Sequence, residues 1–374
     1  MNRFPDKFSV VIMFLFLASH AFAYENLEDI LSIKDVSISK PFFSPSRGEE
    51  VNILYKLTQD AEVTIKIYDP DFGLVRNLIV NKKCKKGINE EVWDGRDDDN
   101  TMVPDEAYFF TIEAKNKKQS ITYDPTTFSG GEELFIPISN FNREAGTLNY
   151  VLKKPTRILF RVGIKNGPLL RTLVDWQPQP KGENTVYWNC LDETGMIDIA
   201  GQAGFSMMIA GFELPENNII AYGNKTMDYF EYKEKRETKE KKEKNTNQRE
   251  NVALSKHYFM ERIMDGSPKV HIKFPHIKEE KEKLLRLSGR VIIQVDLSEE
   301  DKKYFTYNQF EIIFSVDGQY FMEETNGYVP YNWVWDTTQF SDGEHFLTVN
   351  VASLKNQIGA SSVKVIINNK KDLR

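Results

Sequence analysis

Gly87-Ile88-Asn89-Glu90-Glu91-Val92-Trp93, then Asp94-Gly95-Arg96-Asp97-Asp98-Asp99-Asn100, then Val103-Pro104-Asp105 and Tyr108-Phe109-Phe110-Thr111-Ile112: this stretch decides the fold. An alternating run closes on Trp93, a dense polar loop follows, and an aromatic run starts after Pro104, which is the pattern of strand, turn, strand. Gly and Asn permit positive φ, Asp side chains bond nearby backbone N–H groups, and Pro104 is tolerable only outside a ladder. Trp93 is the expected buried anchor.

The stretch has a copy. A constant offset of 95 carries Tyr55 to Tyr150, Leu57 to Leu152, Arg76 to Arg171, Gly87 to Gly182, Asn89 to Asn184, Trp93 to Trp188, Asp97 to Asp192 and Phe110 to Phe205. A repeat of that length is a duplicated domain, because solenoid units recur every ~20–50 residues. The second loop keeps Trp188 and Asp192 but reads Asn189-Cys190-Leu191 where the first reads Asp94-Gly95-Arg96.

Upstream of the loop, Val51 to Leu57 and Ala61 to Tyr68 alternate as half-buried strands, and Asp69-Pro70-Asp71-Phe72-Gly73 is a turn. Short strands separated by turns suggest an antiparallel sandwich. Phe43-Ser44-Pro45, Val63 to Asp69, Val75 to Leu78, Trp93 to Asp98 and Val103-Pro104-Asp105 together resemble the immunoglobulin-like domain named after the flagellar hook-capping protein, a module of many bacterial secreted proteins.

The 374 residues imply two or three domains, and a chain 40% apolar and 12% aromatic has enough to build cores. A net charge of −6 argues against sequence-independent nucleic-acid binding. Arg3 and Lys7 precede the apolar run Val10 to Leu17, which closes on Ala21-Phe22-Ala23. That is the pattern of a bacterial Sec-type signal peptide cut before Tyr24, with no transmembrane segment left after cleavage. The expected location is periplasmic or secreted. Cys84 and Cys190 are not equivalent under the repeat, so an interdomain disulfide and two half-buried free thiols are both open.

Glu231 to Glu250 holds eight basic and six acidic side chains and almost nothing apolar, which reads as a solvated linker, either disordered or a transient charged helix, or more sharply as a partner-binding tail. Beyond it, Phe310 to Gly318, Tyr331 to Thr338, Ser341 to His345 and two closing strands read as a third β-unit. Trp335-Asp336-Thr337 followed by Asp342-Gly343-Glu344-His345 resembles a second bacterial immunoglobulin-like family, the kind appended to extracellular enzymes and adhesins. That resemblance makes Trp335 a core anchor beside Trp93 and Trp188. The expected fold is all-β: three tandem antiparallel immunoglobulin-like β-sandwiches with a charged linker. The expected division is 1–23 signal, 24–131 first domain, 132–225 second, 226–267 linker and 268–374 third.

No metalloprotease, nucleophile-elbow, phosphate-loop or Cys-x-x-Cys motif occurs, and His257, His271, His276 and His345 are scattered. The chain is therefore expected not to be an enzyme and to need no cofactor. Asp94, Asp97, Asp98 and Asp99, with Asn100 and Asp105, are candidate calcium ligands, the alternative being turn chemistry alone. Tyr331, Trp333 and Trp335 share one strand face, which is either core or a glycan platform led by Tyr331 and Trp333. The reading that follows is an exported structural or interaction protein that presents its modules to a protein partner in the envelope or a surface assembly. Its rival is a carbohydrate-binding accessory module.

Overall fold

The computed structural model describes residues 30–243, 266–277, 284–305, 308–354 and 357–370. The signal segment expected at 1–23 and much of the expected linker, 244–265, lie outside the described residues. Three hydrophobic cores form, each between two sheets, and the strands that face them alternate as the sequence demands.

The first unit contains β1 (Ile33–Ile38), β2 (Phe42–Phe43), β3 (Val51–Leu57), β4 (Ala61–Tyr68), β5 (Leu74–Cys84), β6 (Gly87–Trp93), β7 (Glu106–Lys115) and β8 (Ser120–Tyr123). One sheet runs β1-β3-β6. In β3 the odd positions Val51, Ile53, Tyr55 and Leu57 are buried, as period two requires. Trp93 is fully buried, 5.5 Å from the Phe43 ring and 5.4 Å from that of Tyr108.

The second unit contains β9 (Glu133–Phe135), β10 (Ile138–Asn142), β11 (Thr147–Leu152), β12 (Thr156–Ile164), β13 (Leu169–Gln179), β14 (Gly182–Tyr187) and β15 (Phe205–Glu213). Its sheets run β10-β11-β14 and β13-β12-β15-β9. The chain then turns back on itself. β16 (Ile219–Ala221) pairs in parallel with β2 and antiparallel with β7, so the other sheet of the first unit runs β2-β16-β7-β4-β5, with β8 beside β7. The expected division placed residues 219–221 in the second domain; they finish the first sheet instead. In the expected linker α1 (Tyr229–Glu243) is helical, one of the two forms expected there, but it is docked and not simply solvated, burying Tyr229 and Tyr232.

β7 is buried on both faces, and what covers its second face comes partly from the second unit. Tyr108, Phe110 and Ile112 face the core, while Ala107 packs against Leu214 and Ile220. β12 is doubly buried too: Ile158, Phe160 and Val162 face the second core, and Arg157, Leu159 and Arg161 are covered on the other side. The Arg157 guanidinium donates to the Glu106 carboxylate at 2.6 Å, joining the two units through a pair with almost no exposure.

The third unit contains β17 (Val270–Lys273), β18 (Leu285–Leu287), β19 (Arg290–Leu297), α2 (Glu299–Phe305), β20 (Phe310–Val316), β21 (Gln319–Glu324), β22 (Tyr331–Asp336), β23 (Gly343–Ser353) and β24 (Ile358–Ile367). Its sheets run β17-β19-β22 and β18-β24-β23-β20-β21. It touches the second unit directly. Asn350 Nδ2 donates to the Leu169 carbonyl at 2.9 Å, Ser267 N donates to Asp175 Oδ2 at 2.8 Å, and Phe346 packs on the second core. Gly318, at φ +77°, lies so close to Ile164 that an added Cβ would sit 2.2 Å from its Cδ1.

Candidate functional site

The acidic loop between β6 and β7 is built by backbone capping. Asp94 Oδ1 accepts from Arg96 N at 3.1 Å, and Asp97 Oδ1 accepts from Asp99 N and Thr101 N at 3.0 and 2.8 Å. Asp98 accepts from the backbone and side-chain nitrogens of Asn77 at 2.9 and 2.7 Å. The second copy repeats this chemistry. Asn189 Oδ1 accepts from Leu191 N at 3.2 Å, Asp192 Oδ1 accepts from Met196 N at 2.9 Å, and the indole N–H of Trp188 donates to the Leu191 carbonyl as that of Trp93 does to Arg96. An uncharged Asn fills the place of Asp94, so an oxygen acceptor is sufficient there. Among the described residues, no group of three or more His, Cys, Asp or Glu side chains converges as a metal site. Of the candidate ligands Asp94, Asp97, Asp98 and Asp99, the first three each accept from separate backbone donors.

Other carboxylate oxygens at this end bond to α1. Asp97 Oδ2 accepts from the Tyr232 hydroxyl at 3.0 Å, and Asp71 Oδ2 accepts from the Tyr229 hydroxyl at 2.9 Å and pairs with Lys233. Asp69 Oδ1 caps its turn by accepting from Asp71 N and Gly73 N, while its Oδ2 lies 3.3 Å from Arg236, whose guanidinium also donates to the Leu74 carbonyl and lies 5.3 Å from the Tyr232 ring centre. Burial pushes the Asp69 carboxyl up to about 6, aided by the Asp71 charge and opposed by Arg236 and Lys233. Burial likewise pushes the Tyr229 and Tyr232 phenols upward. The sequence reading missed this cluster. Its signal was the spacing 229, 232, 233, 236, one helical face hidden in a run of alternating charge.

Of the candidate platform, Tyr331 lies in the third core and Trp333 is half-buried against it. Tyr331 is only 8% exposed, and the Trp333 ring lies 4.7 Å from Phe314 and 5.5 Å from Phe321, with Trp335 buried behind it. His271 and His276 are exposed, whereas His345 bonds to the Asp317 carboxylate at 2.6 Å and to the Ser341 carbonyl at 2.8 Å. Cys84 and Cys190 are free and buried in different cores. What stays open to solvent is sheet surface and sheet edge. β6 and β14, equivalent strands at the ends of their sheets, expose Ile88 (79%) and Tyr187 (81%).

Paired antiparallel sheets, inward Trp anchors and a duplicated strand-turn-strand core define an all-β protein of tandem immunoglobulin-like sandwiches. Residues 43–118, which lie within the first unit, match the family described as the FlgD Ig-like domain. Comparison with the curated proteins finds no match. Among solved structures, the chain is similar to an endo-β-1,4-mannanase from Thermotoga petrophila at 16% identity and TM-score 0.22, covering 48% of this chain and 29% of that one. It is also similar to a bacterial ice-binding adhesin at 9% identity and TM-score 0.20, covering 91% of this chain and 98% of that one. A fibronectin-III array of RIM-binding protein aligns at 8% identity and TM-score 0.17, covering 91% and 98%. The chain spans less than a third of the mannanase. No described helix is long and apolar enough to cross a membrane.

Proposed function

We propose that the chain is an exported, non-enzymatic scaffold that holds sheet edges at fixed positions for a protein partner in the envelope or a surface assembly. The observation that carries this reading is the contrast between the interfaces and the edges. The joint between the first two units is buried and charge-paired through Glu106 and Arg157, while the equivalent edge strands β6 and β14 are left open with Ile88 and Tyr187 outward. An exposed edge with apolar side chains suits strand addition, in which main-chain hydrogen bonds supply affinity and side chains supply specificity. The 43–118 match to an immunoglobulin-like family supports a binding module over a catalyst.

The test is capture of partners from envelope extract by the chain beginning at Tyr24, beside an Ile88→Lys/Tyr187→Lys variant. A defined protein that binds the first and is lost from the second supports the reading. Retention on insoluble polysaccharide, with no protein captured, contradicts it.

A further inference from the structure

The first sandwich is two-ended in charge. β4 and β6 run toward the end that holds the β4–β5 turn and the β6–β7 loop, while β5 and β7 run back to the opposite end. The first end carries Asp69, Asp71 and the Asp94–Asp99 loop, and the chain covers it with Lys233 and Arg236 of α1. The opposite end carries Lys83, Lys85, Lys86, Lys115, Lys117 and Lys118, all exposed, with Asp60 and Glu62 among them. Lys85 pairs with Asp60 at 2.8 Å. Glu62 sits in register between Lys83 and Lys115. A cavity of about 450 Å³ opens between Lys83, Lys85, Lys115 and Lys117, with the Asp60 and Glu62 carboxylates, Ala61 and Cys84 also on its wall, so its lysines outnumber its carboxylates by two.

The second copy acts as an internal control. The offset of 95 carries Lys83 and Lys85 to Pro178 and Pro180 and keeps Lys86 as Lys181, while β15 pairs with β12 so that Phe212 faces Arg157 where Lys115 faces Glu62; the same strands thus form without Lys83, Lys85 and Lys115. The fold therefore does not require these charges. Lysines on an edge strand also guard against unwanted pairing, which accounts for Lys83 on β5. It does not account for Lys115, because β7 lies between β4 and β8, nor for Lys117 in the turn that follows.

We propose that this basic end is the docking surface for an acidic, extended segment of the protein partner. The proposal rests on the scaffold reading and adds the surface and the chemistry of what it binds. In a chain of net charge −6 the patch is a local reversal of sign, complementary to carboxylates. β5 is last in its sheet, so its outer backbone is open to a further strand among the described residues, and Val80 and Ile88 are exposed close by in sequence. The cavity wall carries no aromatic ring on which a sugar would stack and no Arg fork for bidentate phosphate. Dispersed ammonium groups beside an open edge suit a strand carrying several carboxylates.

The test uses the chain beginning at Tyr24 and a fluorescein-labelled Glu-Thr repeat peptide of about ten residues, read by anisotropy. Lys83→Glu/Lys115→Glu/Lys117→Glu is expected to weaken binding about tenfold or more, since three attractive charges are lost and repulsion adds to the loss. Raising salt from about 50 to about 300 mM weakens the unaltered chain likewise. The three sites are exposed, so the melting curve stays unchanged, and Lys153→Glu/Lys181→Glu binds as before. Equal binding by the triple variant overturns the proposal. So does preference for dextran sulfate or for phosphatidylglycerol vesicles over the peptide. Binding seen only after removal of residues 24–29, which carry Glu25, Glu28 and Asp29, also overturns it, because the chain's own lead-in would then be the occupant. The probe is a purified peptide, so failure here leaves partner capture through β6 and β14 standing, and failed capture with peptide binding retained is the reverse result.

Discussion

Asp94 and Asn189 accept the same backbone hydrogen bond in the two copies of one turn, and Asp97 and Asp192 cap the following residues in the same way. Asp94→Asn is therefore expected to leave stability within about 0.5 kcal/mol, as at ordinary surface sites. Asp97→Ala strips two backbone donors and the buried Tyr232 hydroxyl of their acceptor and costs about 2–3 kcal/mol by denaturant unfolding. Added calcium is expected to leave the melting temperature of the unaltered chain in place. Asp69 gives a signed pH effect. Its folded carboxyl titrates near 6 against an ordinary value of 3.8, so the folded state binds the extra proton between those values. Its contribution to stability is fullest below about pH 4 and is lost as pH rises through 6. Asp69→Asn keeps the Oδ1 acceptor but not the titration, so the melting temperature of the unaltered chain relative to this variant should fall from pH 4 to pH 7. A flat difference would contradict the burial of Asp69.

Elements differ in how openly the sequence declares them. β3, β4, β6 and their copies were legible because alternation and the Trp93/Trp188 anchor stand in register through a gapless offset of 95. β22 was legible as a strand, and its packed Tyr331-Trp333-Trp335 face follows from period two. β16 was not legible: it has three residues, and nothing local tells a strand that returns to an earlier sheet from one that continues the second unit. The docked face of α1 was hidden for a different reason. Fourteen charges in Glu231–Glu250 mask a face of Tyr229, Tyr232, Lys233 and Arg236, which gains stability only from carboxylates 130 to 170 residues upstream. That docking predicts a specific loss. Tyr232→Ala should raise protease sensitivity after residue 226 and lower stability by about 2–4 kcal/mol, the cost of emptying a buried aromatic site. Limited proteolysis with intact-mass readout checks it, and unchanged cleavage would show α1 to be undocked.

At the scale of the molecule, the two copies are not beads on a string. β7 and β12, each buried on both faces, meet through Glu106 and Arg157, and the chain passes from the first unit into the second and back through β16. A buried ion pair adds little net stability over an apolar substitute, but removing one partner strands the other charge. Glu106→Ala is expected to cost about 3–5 kcal/mol and to loosen the two units, whereas the exposed pair Lys85–Asp60 is worth little. The third unit is held by Asn350, Ser267 and the close approach of Gly318 to Ile164. A scaffold that presents edges at fixed spacing requires those joints to be stiff. The most direct measurement is a pulsed electron–electron spin distance between labels at Ile88→Cys and Tyr320→Cys, both exposed, with the native thiols buried. A single narrow distribution, no broader than the labels' own freedom, is the predicted result, broadening in Glu106→Ala. A broad or two-peaked distribution in the unaltered chain would show that the units move independently and would contradict the scaffold account.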